Sequence, residues 1–78
     1  QDDVRNKKKL INLSLEVLDD REVQIIMNRH LSDAPKTLEM LGKKLHISKE
    51  RVRQIEKNAM TKMKSYITKQ SEINYISN

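Results

Sequence analysis

Between Thr37 and Ile55 the chain carries its one glycine, Gly42, inside a run that otherwise reads as helix. Glycine in a helix interior costs roughly 1 kcal/mol against alanine, so its place here implies close approach of another backbone. Two short helices joined by a three-residue turn must cross steeply. The crossing needs a small residue facing the second helix, and Gly42 supplies it. The turn needs a residue tolerant of positive φ, and that position is His46. Glycine is the commonest choice there and histidine a permitted but poorer one. Apolar residues must then plug the angle, and Leu41, Leu45, Ile47, Val52 and Ile55 stand at the five spacings required. The segment is expected to be a helix-turn-helix, spanning about residues 37–68.

Period and caps extend the reading to an all-α, four-helix domain. The first helix is expected from about Asp3 to Leu18. Leu10, Leu13 and Val17 form one 3–4-spaced stripe on it, and Ile11, Leu15 and Leu18 another. Two adjacent stripes make an apolar face wider than one neighbour usually needs. Either the helix is central to the core, or it packs inward and offers surface to a partner. The second helix starts after Asp19, which with Glu22 three residues on has the spacing of a capping box. Its expected inward stripe is Val23, Ile26, Met27 and His30, the histidine lying at the core edge rather than acting as a ligand. Ser32, Asp33 and Pro35 break the chain, since the residue before proline avoids the helical region. Thr37 caps a third helix carrying Leu38, Leu41 and Leu45 inward. Ser48 caps a fourth, with Val52, Ile55, Ala59, Met63 and Tyr66 as its buried stripe. Residues 70–78 read as a polar tail that frays or extends this helix.

Several classes are excluded by what the chain lacks. Its 78 residues amount to one small domain, burying roughly 60% of the surface its unfolded chain exposes and leaving no room for a deep enclosed active site. With no cysteine and two histidines, disulfides, iron–sulfur clusters, thiolate zinc and His-rich metal sites are out. No metal or other cofactor is expected. No nucleophile–base pair or phosphate-cradling glycine loop is present, so the chain does not read as an enzyme. Two tyrosines are the only aromatics, too few to stack single-stranded bases. No apolar run approaches the ~20 residues of a membrane span, and the first residues do not read as a signal peptide. The chain opens on Gln1 rather than Met, which gives the expectation of a piece of a longer protein.

Charge is concentrated. Residues 1–35 are net −1 and residues 36–69 are net +7, within a total of +5. A basic half suggests a polyanionic partner, although a solvated Lys-rich surface has the same count. Position on the fold decides between them. A helix-turn-helix sets its second helix in the major groove with the first turns facing base edges. The residues expected there are Lys49, Glu50, Arg53 and Gln54. Lysine and arginine donate to guanine O6 and N7, glutamate accepts from cytosine N4, and glutamine pairs with adenine N6 and N7. A purely electrostatic binder has no use for Glu50 and Gln54 at this position, though Glu50 also complements the helix dipole. Thr37, Lys43, Lys44, Arg51 and Lys57 are the expected phosphate contacts, with Lys62 and Lys64 as further flanking cations. Such contacts position a protein without reading sequence.

The string Ile47-Ser48-Lys49-Glu50-Arg51-Val52-Arg53-Gln54-Ile55-Glu56-Lys57-Asn58-Ala59-Met60 resembles region four of bacterial RNA polymerase sigma factors of the sigma-70 class. Leu18 to Glu22 and Thr37 to Glu39 fall where that family has similar residues. The break Leu31 to Leu38, taken with Glu56 to Met60, is most similar to heat-shock-type sigma factors. The resemblance covers about residues 10–68. It implies recognition of the minus-35 promoter element in double-stranded DNA, in transcription initiation by the holoenzyme in the bacterial cytoplasm. Lys49, Glu50 and Gln54 align with the main base-reading positions, Arg53 with a further DNA-contacting one, and Thr37 with phosphate-contacting positions. The resemblance also implies docking on the flap of the polymerase β subunit, for which Leu10, Leu13, Val17 and Ile26 are the residues expected.

The chain departs from the family pattern in places. Lys49 stands where arginine is commoner, which weakens bidentate guanine pairing. His46 replaces a usual glycine or acidic residue. Asn58 and Thr61 stand where some members carry basic residues used by activators, while Lys64 keeps its charge. Anti-sigma and activator proteins are further partners the family implies. Two other functions fit a helix-turn-helix. One is an independent dimeric regulator using the first helix as a self-complementary surface. The other is a protein-interaction module that binds anti-sigma proteins.

Overall fold

A computed structural model describes the backbone of residues 9–77 and the side chains of residues 9–70. The helical residues 9–14 form α1, followed by a 3₁₀ turn at Leu15–Val17; then come α2 (Asp20–His30), α3 (Leu38–Leu45) and α4 (Lys49–Ser77). The expected start of the first helix at Asp3 lies outside the described residues.

Side-chain caps set the helix starts. Asp19 accepts from the Glu22 N–H at 2.8 Å and the Glu22 carboxylate accepts from the Asp19 N–H at 3.0 Å, a complete capping box. The Thr37 hydroxyl accepts from the Met40 N–H and the Ser48 hydroxyl from the Arg51 N–H. Each satisfies one of the N–H groups that a helix start leaves without a partner. The first helix does not run unbroken to Leu18. Ser14, fully buried, donates its hydroxyl to the Ile11 carbonyl at 2.6 Å. That bond competes with the helix ladder, and the chain tightens into the 3₁₀ turn before Leu18 becomes extended. At the other end α4 continues through Ser77, so the polar tail extends the helix. Its 29 residues make a rod of about 43 Å at 1.5 Å per residue.

The core is built along this rod in two clusters. Ile25, Leu41, Val52 and Ile55 form the first, with Leu38, Leu45 and Ile47 packed against it. The five plug residues of the helix-turn-helix are therefore all in it. Ile26, Ala59 and Met63 form the second, covered by Ile11, Leu15 and Leu18 from the first helix. One stripe of that helix packs inward, while Leu13 and Val17 on the other stay 37% and 42% exposed. The inward face of α2 is rotated from the expected one. Glu22, Ile25 and Ile26 are buried, whereas Met27 is 48% exposed and His30 projects at the edge. The cause is the line of α4, which runs under Ile25 and Ile26 and leaves Met27 on the far side.

Two polar ties fix α2 to α4. The Glu56 carboxylate takes the Arg29 guanidinium and the His30 Nε2, each at 2.8 Å. Arg29 also donates to the Lys36 carbonyl, holding the α2–α3 connection down. Lys62 reaches back to Glu22 at 3.0 Å.

Candidate nucleic-acid interface

The start of α4 is presented by the turn before it. His46 adopts φ 60°, ψ 41°, the left-handed conformation expected, and the Ile47 N–H closes the turn on the Gly42 carbonyl at 2.9 Å. A Cβ at Gly42 would stand 2.7 Å from the Ile47 carbonyl oxygen and 3.4 Å from the Lys49 nitrogen. The close approach inferred from the glycine is thus between α3 and the turn that launches α4.

At 100° per residue, the buried Val52, Ile55, Ala59 and Met63 occupy one side of α4, and Glu50, Arg53, Gln54 and Lys57 the other. Lys49, Glu50, Arg53 and Gln54 are all exposed, as are Lys43, Lys44, Arg51, Lys57 and Thr37. Lys43 and Lys49 meet across the turn, lining a shallow depression with Glu39, Gly42 and His46. Arg51 stands on the opposite flank, beside Asp19, Arg21 and Asn58. The Thr37 hydroxyl spends an acceptor site on its cap and keeps its proton to donate.

The exposed side chains at the start of α4 are paired among themselves. Glu50 and Arg53 form an ion pair one turn apart, with side chains 64% and 63% exposed. Arg51 Nη1 donates to Gln54 Oε1 at 3.2 Å. Lys43, Lys44, Lys49 and Lys57 have no carboxylate within ion-pair distance among the described residues. Lys62 differs from expectation: it is committed to Glu22, a nearly buried carboxylate, and is no free flanking cation.

The polar tie behind this face has its own electrostatics. Burial pushes the Glu56 carboxyl up, but the hydrogen bonds and charges of Arg29 and His30 together outweigh burial and leave it below the ordinary glutamate value.

A second surface lies toward the other end of α4. Ile11, Leu31, Met60, Met63 and Ile67 line an apolar groove of about 520 Å³, with His30, Lys57 and Lys64 at its edges. Leu31 and Met60 are 42% and 45% exposed in it. Leu31, Met60 and Ile67 escaped the sequence reading. The available signal was that Met60 and Ile67 are apolar yet off the buried stripe of α4. Of the residues expected on a partner-binding face, Ile26 is 1% exposed and belongs to the second core cluster, reaching the groove only as floor. Leu10 is half-buried. Val17 lines a shallower furrow with Thr61, Ser65 and Tyr66.

The family model for sigma-70 region 4 matches residues 14–65 of the chain. The chain belongs to this family. It is a DNA-binding, non-catalytic one. Similar proteins include the RNA polymerase sigma factor RpoH of Rhizobium radiobacter, 38% identical over 91% of this chain and 24% of its own length. The RpoH of Zymomonas mobilis is 46% identical over 78% of this chain and 20% of its length. That of Caulobacter vibrioides is 44% identical over 69% of this chain and 18% of its length. The region-4 chain thus spans about a quarter or less of the length of the relatives it matches. No helix among the described residues of this region 4 is long and apolar enough to cross a membrane.

Proposed function

We propose that this chain recognises the minus-35 promoter element in double-stranded DNA. It would do so in the cytoplasm of a bacterium, as the C-terminal domain of an RNA polymerase sigma factor, and it is not an enzyme. The observation that carries the reading is the exposed arc at the start of α4, where Lys49, Glu50, Arg53 and Gln54 stand clear of the core. A helix with its side chains is about 10–12 Å across, which suits a major groove about 12 Å wide. Arg53 and Lys49 address guanine, Glu50 cytosine and Gln54 adenine. Thr37, Lys43, Lys44, Arg51 and Lys57 surround that arc and take phosphates.

The β flap is the second partner. The groove lined by Leu31, Met60, Met63 and Ile67 is the deeper apolar concavity and seats a flap helix better than the first-helix residues Leu10, Leu13 and Val17, of which Val17 lines only a shallower furrow. Anti-sigma or activator proteins would compete for the same apolar and basic surfaces.

Enrichment of a random duplex pool on the immobilised chain at low salt, with the β flap supplied, tests both parts. A motif containing a G·C step should emerge and vanish with the triple substitution Lys49→Ala, Glu50→Ala, Gln54→Ala. No enrichment, or the same enrichment with the triple variant, would overturn base reading. Flap capture should fail with Met60→Asp and survive Val17→Asp; the reverse would move the flap to the first helix.

A further inference from the structure

We infer that Glu50 is a specificity-determining gate: by ion-pairing Arg53 in the free protein it withholds that cation from phosphates, and only a base step that engages both side chains releases it. The inference rests on the promoter-reading proposal and deepens it.

Three carboxylates occur in the basic segment 36–69. Glu56 is consumed by Arg29 and His30, and Glu39 lies in the first turn of α3. Glu50 alone is set among the outward cations of α4, where a negative charge repels the duplex backbone. Its partner is specific. Arg53 is paired, while Lys49 and Lys57 on the same arc have no such partner among the described residues. On a random duplex, Arg53 gains a phosphate only by breaking the pair and leaving Glu50 unpaired beside the backbone. At a step with guanine and cytosine edges in reach, Arg53 donates to O6 and N7 while Glu50 accepts from N4. Both charges are then satisfied together. The pair therefore removes affinity from wrong sites more than from the right one, which is discrimination through the competitor rather than the target.

The test compares the 78-residue chain with Glu50→Gln, Arg53→Ala and the double variant, binding a random-sequence duplex across a salt series by fluorescence anisotropy. Glu50→Gln should bind the random duplex roughly three- to tenfold tighter, with a salt slope steeper by about one, the increment for one added phosphate contact. In the Arg53→Ala background the same substitution should change affinity less than about twofold, since no cation is left to release. Glu16→Gln, at an exposed position on the 3₁₀ turn, controls for loss of a carboxylate anywhere. An equal gain in both backgrounds, or from Glu16→Gln, would show plain charge repulsion and overturn the gate. Unchanged binding by Glu50→Gln would overturn it too while leaving promoter reading intact. A chain that binds no duplex, with or without Glu50 and even with the β flap supplied, would sink promoter reading and the gate alike. Loss of helix-dipole stabilisation in Glu50→Gln predicts weaker binding, the opposite sign.

Discussion

Replacing Gly42 by alanine sets two known quantities against each other. Alanine is the better helix former by about 1 kcal/mol, and α3 has only eight residues over which to spread strain. The added Cβ would stand 2.7 Å from the Ile47 carbonyl oxygen, roughly 0.7 Å inside ordinary contact distance. That oxygen belongs to backbone, so no side chain can swing aside. The turn cannot slide freely either, because His46 is held left-handed and the Ile47 N–H is bonded to Gly42 itself. Overpacking against parts that cannot yield costs typically 1–3 kcal/mol, and this geometry puts the cost near the upper end. The net expectation is a loss of about 2 kcal/mol. For 78 residues the unfolding entropy is roughly 0.16 kcal/mol per kelvin, so Tm should fall by about 12 °C. Thermal melts followed by far-ultraviolet circular dichroism measure it, with Lys43→Ala on the same helix as the control for propensity. An unchanged or raised Tm for Gly42→Ala would refute the close crossing and with it the angle at which α4 is presented.

Four further outcomes are expected. Asp19→Ala removes the side-chain half of the capping box, leaving the Glu22 carboxylate on the backbone N–H of residue 19, and should cost about 1 kcal/mol, read as a lower denaturation midpoint with unchanged m. Glu56→Gln should destabilise near neutral pH by about 1–2 kcal/mol, because it removes a partly buried carboxylate charge that pairs with Arg29 and hydrogen-bonds His30. Since the folded Glu56 value is depressed, its contribution is present above the ordinary glutamate value of 4.5 and is lost as pH falls through the folded value. Melts of wild type and variant should therefore converge in acid. Gln54→Ala should lose about 1–3 kcal/mol of discrimination at one base pair. Lys57→Ala should instead weaken binding on all sequences and flatten the salt slope by about one; anisotropy titrations separate the two.

Features decided by neighbours in sequence were legible in advance. The caps at Asp19, Thr37 and Ser48 each act over three residues, and the left-handed His46 follows from the turn length alone. The plug residues were legible because one motif prescribes their spacing. Legibility fails where a distant element decides. Val23, Met27 and Ile25 are all apolar, and only the path of α4 selects Ile25 for burial. Ser14 was unremarkable until its hydroxyl was seen ending a helix. The ties of Arg29 to Glu56 and Glu22 to Lys62 span 27 and 40 residues, a separation no local pattern reports. The apolar groove draws on Ile11, Leu31, Met60 and Ile67 from three helix regions, so it has no signal in any single stretch.

The exposed face at the start of α4 shows the same boundary at finer scale. Residue types alone supplied the donors and acceptors, and a spacing of four brings Lys49 near Arg53 and Glu50 near Gln54 on a helix. The pairs that form join residues three apart instead, Glu50 with Arg53 and Arg51 with Gln54. Both spacings bring side chains together on a helix, so opposite charge and donor–acceptor match choose between them. The consequence is chemical. A face of two cations, one anion and one amide is, before DNA arrives, partly neutralised, with Lys49 its one cation unpaired among the described residues. A cation already satisfied gains less from a phosphate than a free one, so on the proposed reading the order of engagement would run from unpaired lysines to paired arginines. Lysines would anchor the helix wherever the backbone is; Arg53 and Gln54 would commit only where the bases replace the partners they give up.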